Sequence, residues 1–308
     1  MKNVALMTVA ALAVASTWCS LGADKQAETS KLDMKTKQPE RAAIVFLIAG
    51  QSNAGGVATF SKETNVKAGV EKKHPVNPGT TAKDVGIPTT KDAYPRSHIW
   101  KPGNGPFEPL TPGKNLRTAY RDPWRHGIEL PMAMLLEKKY PTADIYFVKH
   151  GPPGHNLHTH WKAGEGGDYK NFIGQYKGAM EILKEQYGAV TVLGLYWDQG
   201  ESDKYQAKAY EANLRALFEA LRKDTGLKDL PFFVREQGIF QYKAIFKPIV
   251  TAQVVIAQAD PAVHLLTLDK GSLAKNYEAW AWSIGNGHLS SKAYLKLSEM
   301  IMALIEKK

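Results

Sequence analysis

The chain has 308 residues with 40 lysines and arginines against 30 aspartates and glutamates, a formal charge of +10, 44% hydrophobic residues and a single cysteine, Cys19. That length and apolar fraction suit one large domain with an ordinary core, and a lone cysteine excludes an internal disulfide or a cysteine-ligated metal as its source of stability. The lysines are scattered and no predicted helix carries a basic stripe interleaved with aromatics, which speaks against nucleic acid; an acidic polysaccharide or anionic surface stays open beside plain solvated charge.

Met1-Lys2-Asn3, an apolar run from Val4 to Trp18 and the small residues of Ser20-Leu21-Gly22-Ala23 read as a secretory signal peptide over 1–23, with a hydrophobic stretch too short to span a bilayer. Cleavage near Gly22 or Ala23 removes Lys2 and Cys19; lipidation of Cys19 is the alternative, disfavoured by the bulky Trp18 before it. The mature chain is then expected to be periplasmic or extracellular, with no integral membrane segment. Residues 24–41 are polar and aperiodic, a flexible leader, and 42–308 form the remaining domain.

Ile44-Val45-Phe46-Leu47-Ile48-Ala49 predicts a strand buried on both faces, running directly into Gly50-Gln51-Ser52-Asn53-Ala54-Gly55-Gly56. A hydroxyl therefore stands at the C-terminal end of a strand, the edge where open parallel α/β sheets bind ligands. Ser52 and Asn53 also suit a helix cap, so this stretch alone leaves cap and nucleophile both open. Residues 57–124, rich in Gly, Pro, Lys and Thr, read as one long insertion folded over the strand ends and shaping a groove. Its Trp100, Phe107, Tyr120 and Trp124 suit either sugar stacking or anchoring of the loop.

Beyond it the pattern alternates. Helical spacing at 128–139, 169–186, 210–221, 244–258 and 294–304 separates apolar runs at 144–148, 190–197, 230–234 and 263–268. This βαβ alternation implies an α/β fold with a parallel sheet of about five strands covered by helices on both faces.

The residues that follow each predicted strand carry the chemistry: Gly151-Pro152-Pro153-Gly154-His155-Asn156-Leu157-His158-Thr159-His160-Trp161, then Asp198-Gln199-Gly200-Glu201-Ser202-Asp203, then Arg235-Glu236-Gln237, then Gly285-Asn286-Gly287-His288. Together they supply what acyl transfer requires. Ser52 attacks a carbonyl carbon, His288 takes its proton and returns it to the leaving alcohol, and the Ser52 and Gly154 amides with the Gln199 side chain receive the oxyanion.

In order and spacing, Gly50-Gln51-Ser52-Asn53, Gly127-Ile128-Glu129-Leu130, Gly154-His155-Asn156-Leu157 with Trp161, Trp197-Asp198-Gln199-Gly200-Glu201-Ser202-Asp203 and His288 resemble the sialate O-acetylesterase-like branch of the SGNH hydrolases, which includes the acetylxylan esterases of carbohydrate esterase family six. The resemblance spans nearly the whole mature chain. It implies a flavodoxin-like three-layer α/β/α sandwich, a serine nucleophile, no metal or other cofactor, and removal of acetyl groups from carbohydrate. Gln51, Asn53, Glu201 and Asn286 are assigned supporting roles, and Asn156 and Trp161 contact with substrate.

Two residues depart from the family pattern. Ala54 replaces a frequent methionine, a packing change, and Gly285 stands where the triad aspartate is usual, three residues before the histidine. Glu236 is the preferred substitute acid; Asn286 or a backbone carbonyl are the others, and a salt bridge with Arg235 or a groove lysine is the competing use of Glu236. Glu201 is read as a structural carboxylate rather than an acid/base, and Asp203 as a helix cap. His155, His158 and His160, without a carboxylate or cysteine at ligand spacing, are read as loop or substrate contacts rather than as metal ligands.

Overall fold

The computed structural model describes residues 41–61, 80–101, 106–119, 121, 123–237, 244–268 and 288–307, and the backbone of Lys243 and 282–284. The expected signal peptide, all of the leader but Arg41, and Tyr120, Gly285 and Asn286 lie outside the described residues.

In chain order the elements are β1 (Ala42–Gly50), the one-turn helix α1 (Ser52–Gly55), β2 (Ala58–Thr59), β3 (Ser97–Trp100), β4 (Phe107–Pro109), β5 (Arg125–His126), α2 (Glu129–Lys139), β6 (Asp144–His150), α3 (Gly167–Gln186), β7 (Ala189–Asp198), a 3-10 segment (Glu201–Ala209), α4 (Tyr210–Thr225), β8 (Phe232–Arg235), α5 (Lys243–Ala259), β9 (Val263–Leu266), β10 (Trp282–Ile284), β11 (His288–Leu289) and α6 (Ser291–Ile305). The α/β sandwich expected from the alternating pattern is the fold observed. Its sheet has seven strands, in the order β4-β3-β6-β1-β7-β8-β9.

β1 is buried from Ala43 onward because it lies in the middle of this sheet, parallel to β6 on one side and to β7 on the other. Phe46 packs between Phe147 and Phe233, at ring-centroid distances of 6.3 and 6.2 Å. The helices cover the faces with one stripe each: Tyr210, Leu214, Leu217, Phe218 and Leu221 of α4 are buried, as are Tyr294, Leu297 and Ile301 of α6. After β1 the chain builds the β6 side, then crosses to build β7, β8 and β9 on the other. The C-terminal end of β1 is therefore the topological switch point, where such sheets open a crevice.

The sheet exceeds the expected five strands because the 57–124 stretch contributes two of its own. β3 runs parallel to β6, and β4 pairs antiparallel with β3. Trp100 meets Phe107 edge to face at 5.2 Å, and Phe107 meets Tyr146 of β6 at 4.6 Å. These aromatics pin the insertion to the sheet and do not offer the stacking faces considered above. Among the described residues no helix is long and apolar enough to cross a membrane.

Candidate active site

β1 delivers its serine through a turn that tolerates only glycine. Gly50 sits at φ +140°, and a Cβ there would come within 2.1 Å of the Asp198 carbonyl oxygen. The Gln51 amide donates to that same oxygen at 2.9 Å, so Ser52 is held at the β1/β7 edge as the first residue of α1. One turn of helix presents free amides there but very little macrodipole. Ser52 Oγ lies 3.1 Å from Nε2 of His288, 236 residues further along the chain. A serine hydroxyl in hydrogen-bond reach of an imidazole nitrogen is the pairing that general-base activation of a nucleophile requires.

Beneath this pair lies a frame of buried charge. Arg235 at the end of β8 binds both oxygens of Asp198, at 2.7 Å through Nε and 2.7 Å through Nη2, and reaches Glu201 Oε1 at 2.7 Å. Tyr196 donates to Asp198 Oδ2 at 2.5 Å. Burial pushes the Glu201 carboxyl up, opposed by Arg235 and reinforced by Asp198; for Arg235 the two carboxylates outweigh burial and hold the guanidinium firmly charged. Glu201 in turn accepts from Asn53 Nδ2 at 3.1 Å, while Asn53 Oδ1 accepts the Leu289 amide at 3.0 Å. Asn53 thus ties the serine turn to the residue after His288, and Gln51 Oε1 accepts the Ser202 amide at 3.4 Å. Arg235 itself went unrecognised in the sequence except as a salt-bridge partner for Glu236; its place at a strand end was the available signal.

Asp203 does not cap its helical segment. It accepts the Leu157 amide at 2.8 Å, Gln199 Nε2 at 2.5 Å and His158 at 3.2 Å, and so clamps the loop that carries Gly154 against the segment after β7. One N–H of the buried Gln199 amide is taken by Asp203, and the same nitrogen makes only a long contact, 3.4 Å, with the His155 carbonyl. The far end of the loop is held by Asp168, which sequence reasoning missed. It bridges His150 at 2.9 Å and His155 at 2.6 Å. Across the edge, Glu129 Oε1 accepts the Gly127 amide at 2.8 Å and Oε2 pairs with the fully buried Lys149 at 2.6 Å, joining the start of α2 to the end of β6.

Several assignments move. Trp161 is fully buried, donates through Nε1 to the Gly50 carbonyl at 3.0 Å and meets Trp197 edge to face at 5.2 Å. It is a pillar under the serine turn rather than a substrate-facing wall, because an indole with a buried acceptor and aromatic neighbours has no face left for a sugar. Asn156 Oδ1 accepts the Thr159 amide at 2.9 Å, a turn-forming contact. Among the described residues no group of three or more His, Cys, Asp or Glu is placed to hold a metal. The salt bridge weighed between Arg235 and Glu236 is not formed: the guanidinium is given to Asp198 and Glu201 and touches Glu236 only at its backbone carbonyl, 3.3 Å from Nη1. Glu236 is buried at the end of β8, its amide bonded to Leu266 of β9 at 3.0 Å.

Residues 42–305 match the family described as carbohydrate esterase, sialic acid-specific acetylesterase. The chain belongs to this family. The match covers every strand and helix of the sandwich, and makes the protein a carbohydrate esterase by family. No curated protein matches the sequence. Among solved structures the chain is similar to NanS, at 15% identity and a TM-score of 0.61 over 87% of this chain and 99% of that one. It is also similar to a protein from Arabidopsis thaliana, at 17% identity and a TM-score of 0.59 over 86% and 99%. At such identities these likenesses speak for the fold alone.

Proposed function

We propose that this carbohydrate esterase is exported and removes O-acetyl groups from a carbohydrate or polysaccharide through an acetyl-enzyme on Ser52. The observation that carries the reading is the 3.1 Å pairing of Ser52 Oγ with His288 Nε2 at the switch point of the sheet. Ser52 Oγ attacks the acetyl carbonyl carbon as its proton passes to His288. The tetrahedral intermediate collapses to acetyl-Ser52, and the sugar hydroxyl leaves with the proton from His288. Water then attacks the acetyl group, His288 again takes the proton, and acetate departs as Ser52 Oγ is reprotonated.

The Ser52 and Gly154 amides and the less engaged N–H of Gln199 are assigned to the oxyanion, each such donor being worth about 3 kcal/mol of barrier. Glu236 is assigned as the acid that orients His288 and stabilises its cation, a contact that must form during the reaction, since the buried Nδ1 of His288 makes no hydrogen bond to it here. One observation supports the assignment: the carboxylate is buried at the same sheet edge. Export rests on the N-terminal pattern of 1–23.

The rival, a catalytically inactive carbohydrate-binding protein on the same fold, gives no reason for the Ser52–His288 contact. Purified protein should hydrolyse p-nitrophenyl acetate, and Ser52→Ala should lose that activity while melting as the parent does. Comparable turnover by the variant would remove Ser52 from the mechanism. Acetate release from acetylated sialosides and from acetylated xylan then assigns the sugar.

A further inference from the structure

Beside α1 lies a cavity of about 500 Å³ that the mechanism does not use. Lys101, Lys114, Arg117, Arg121, Arg125 and Lys149 line it, and no carboxylate is among its described lining residues. Lys149 is neutralised by Glu129 at 2.6 Å, and Lys101 and Arg117 share Glu108, at 3.4 and 3.7 Å. Lys114 and Arg121 pair with no carboxylate among the described residues. Arg117 Nε and Nη2 are buried without a hydrogen-bond acceptor, and Nη2 has only its 3.7 Å ion pair with Glu108.

A second observation is independent of charge. Among the described residues, the non-glycine positions with left-handed backbone are Arg117 at φ 54° and Arg121 at φ 55°, and both belong to this wall. Such conformations persist where the surroundings enforce them and gather at ligand sites.

The cavity adjoins the nucleophile's own helix. The Ala119 amide donates to the Gly56 carbonyl at 3.2 Å, and a Cβ on Gly55 would meet the Gly151 carbonyl oxygen at 2.3 Å. Gly55 closes the single turn that Ser52 opens, about 4.5 Å along the helix axis.

We propose that this cavity binds a polyanionic glycan, one carrying several carboxylate or sulfate groups; the proposal rests on the carbohydrate esterase reading above. A single carboxylate is satisfied by one guanidinium fork, which leaves Lys114 or Arg121 unanswered, whereas a chain with repeated charges engages both together. Binding of single-stranded nucleic acid, which stacks its bases on aromatic side chains, is the competing outcome that the oligonucleotide below tests.

The test is calorimetric titration of the purified full chain, parent and Ser52→Ala, with a sulfated galactan oligosaccharide, an oligogalacturonate, a neutral xylo-oligosaccharide, N-acetylneuraminic acid and a thymidine oligonucleotide. One of the two polyanionic glycans should bind at least about tenfold tighter than the neutral one, and more weakly as salt rises. Whichever of the two binds tighter identifies the anionic group. Lys114→Glu combined with Arg121→Asn, the asparagine chosen because it tolerates left-handed backbone, should weaken that binding about tenfold without lowering the melting temperature. Arg117→Gln should act in the same direction. Equal affinity for the neutral glycan, for the singly charged sugar or for the oligonucleotide overturns the proposal, and so do variants that bind as the parent does. Binding without any ester hydrolysis by the parent would instead defeat the esterase reading and leave this one standing.

Discussion

The two sides of Ser52 treat charge in opposite ways. On the β7/β8 side, Asp198 and Arg235 are sealed from water and Glu201 nearly so, the three are satisfied largely by one another, and their last link, Asn53, ends on the backbone that follows His288. On the β6 side, Asp168 lies between two partly exposed histidines, and the neighbouring cavity gathers cations with few acids to match. Charges buried in a closed set cannot answer a ligand, since disturbing one leaves another unpaired in low dielectric; their contribution is geometry. Charges left open to water cost little to hold and are available to a substrate. In the function proposed above, the sealed side positions the Ser52–His288 pair and the open side meets what arrives.

Substitutions on the sealed side should have the larger effects. Glu236→Gln should keep the fold and lower kcat by roughly four orders of magnitude, the scale seen when a histidine loses its orienting carboxylate. Adding Gly285→Asp to that variant should recover part of the loss. Parental kcat across the whole pH profile would instead leave a Ser52–His288 dyad as the mechanism.

Arg235→Met leaves two buried carboxylates facing each other, and urea denaturation should show a loss of about 3–5 kcal/mol. An unchanged midpoint would mean that the frame is held by contacts other than the guanidinium. Gln199→Ala should lower kcat by about a hundredfold with KM nearly constant, the signature of a contact made in the transition state. If KM alone rises, Gln199 binds substrate rather than the oxyanion.

The open side should yield the smallest effect, visible as a pH dependence. Burial acts to raise the Asp168 carboxyl, but hydrogen bonds and charge from His150 and His155 outweigh it and hold the group below its ordinary 3.8. The folded chain therefore gives up this proton more readily than the unfolded one. The stabilisation is full above the unfolded value and is lost as pH falls through the folded one. Asp168→Asn should be less stable than the parent at neutral pH, and the gap should narrow as thermal melts are taken below about pH 4. A gap of constant size would show that the histidine contacts do not hold the Asp168 charge.

Much of the fold was legible because burial on both faces writes itself into a strand as an unbroken apolar run, as at Ile44–Ala49, and burial on one face writes a helical stripe, as at Tyr210–Leu221. Once strand ends were located, Ser52 and His288 could be drawn to one edge from opposite ends of the chain. The two extra strands were not legible: Ser97–Trp100 and Phe107–Pro109 are short and polar-flanked, and join the sheet through cross-strand contacts that no local pattern announces.

By itself, then, the sequence determined the layered α/β architecture, the serine turn and the block pattern of the family, because these depend on periodicity and on residues adjacent in the chain. Only the tertiary structure decided what each polar group touches. It moved Trp161 into the core, gave Arg235 to Asp198 and Glu201 rather than to Glu236, turned Asp203 from a cap into a clamp, and gathered Lys101, Lys114, Arg117, Arg121 and Arg125 around one cavity. The reason is physical: a hydrogen bond or ion pair is fixed by distance and direction in space, and residues far apart in sequence carry no mark of meeting until the sheet has brought their strands side by side.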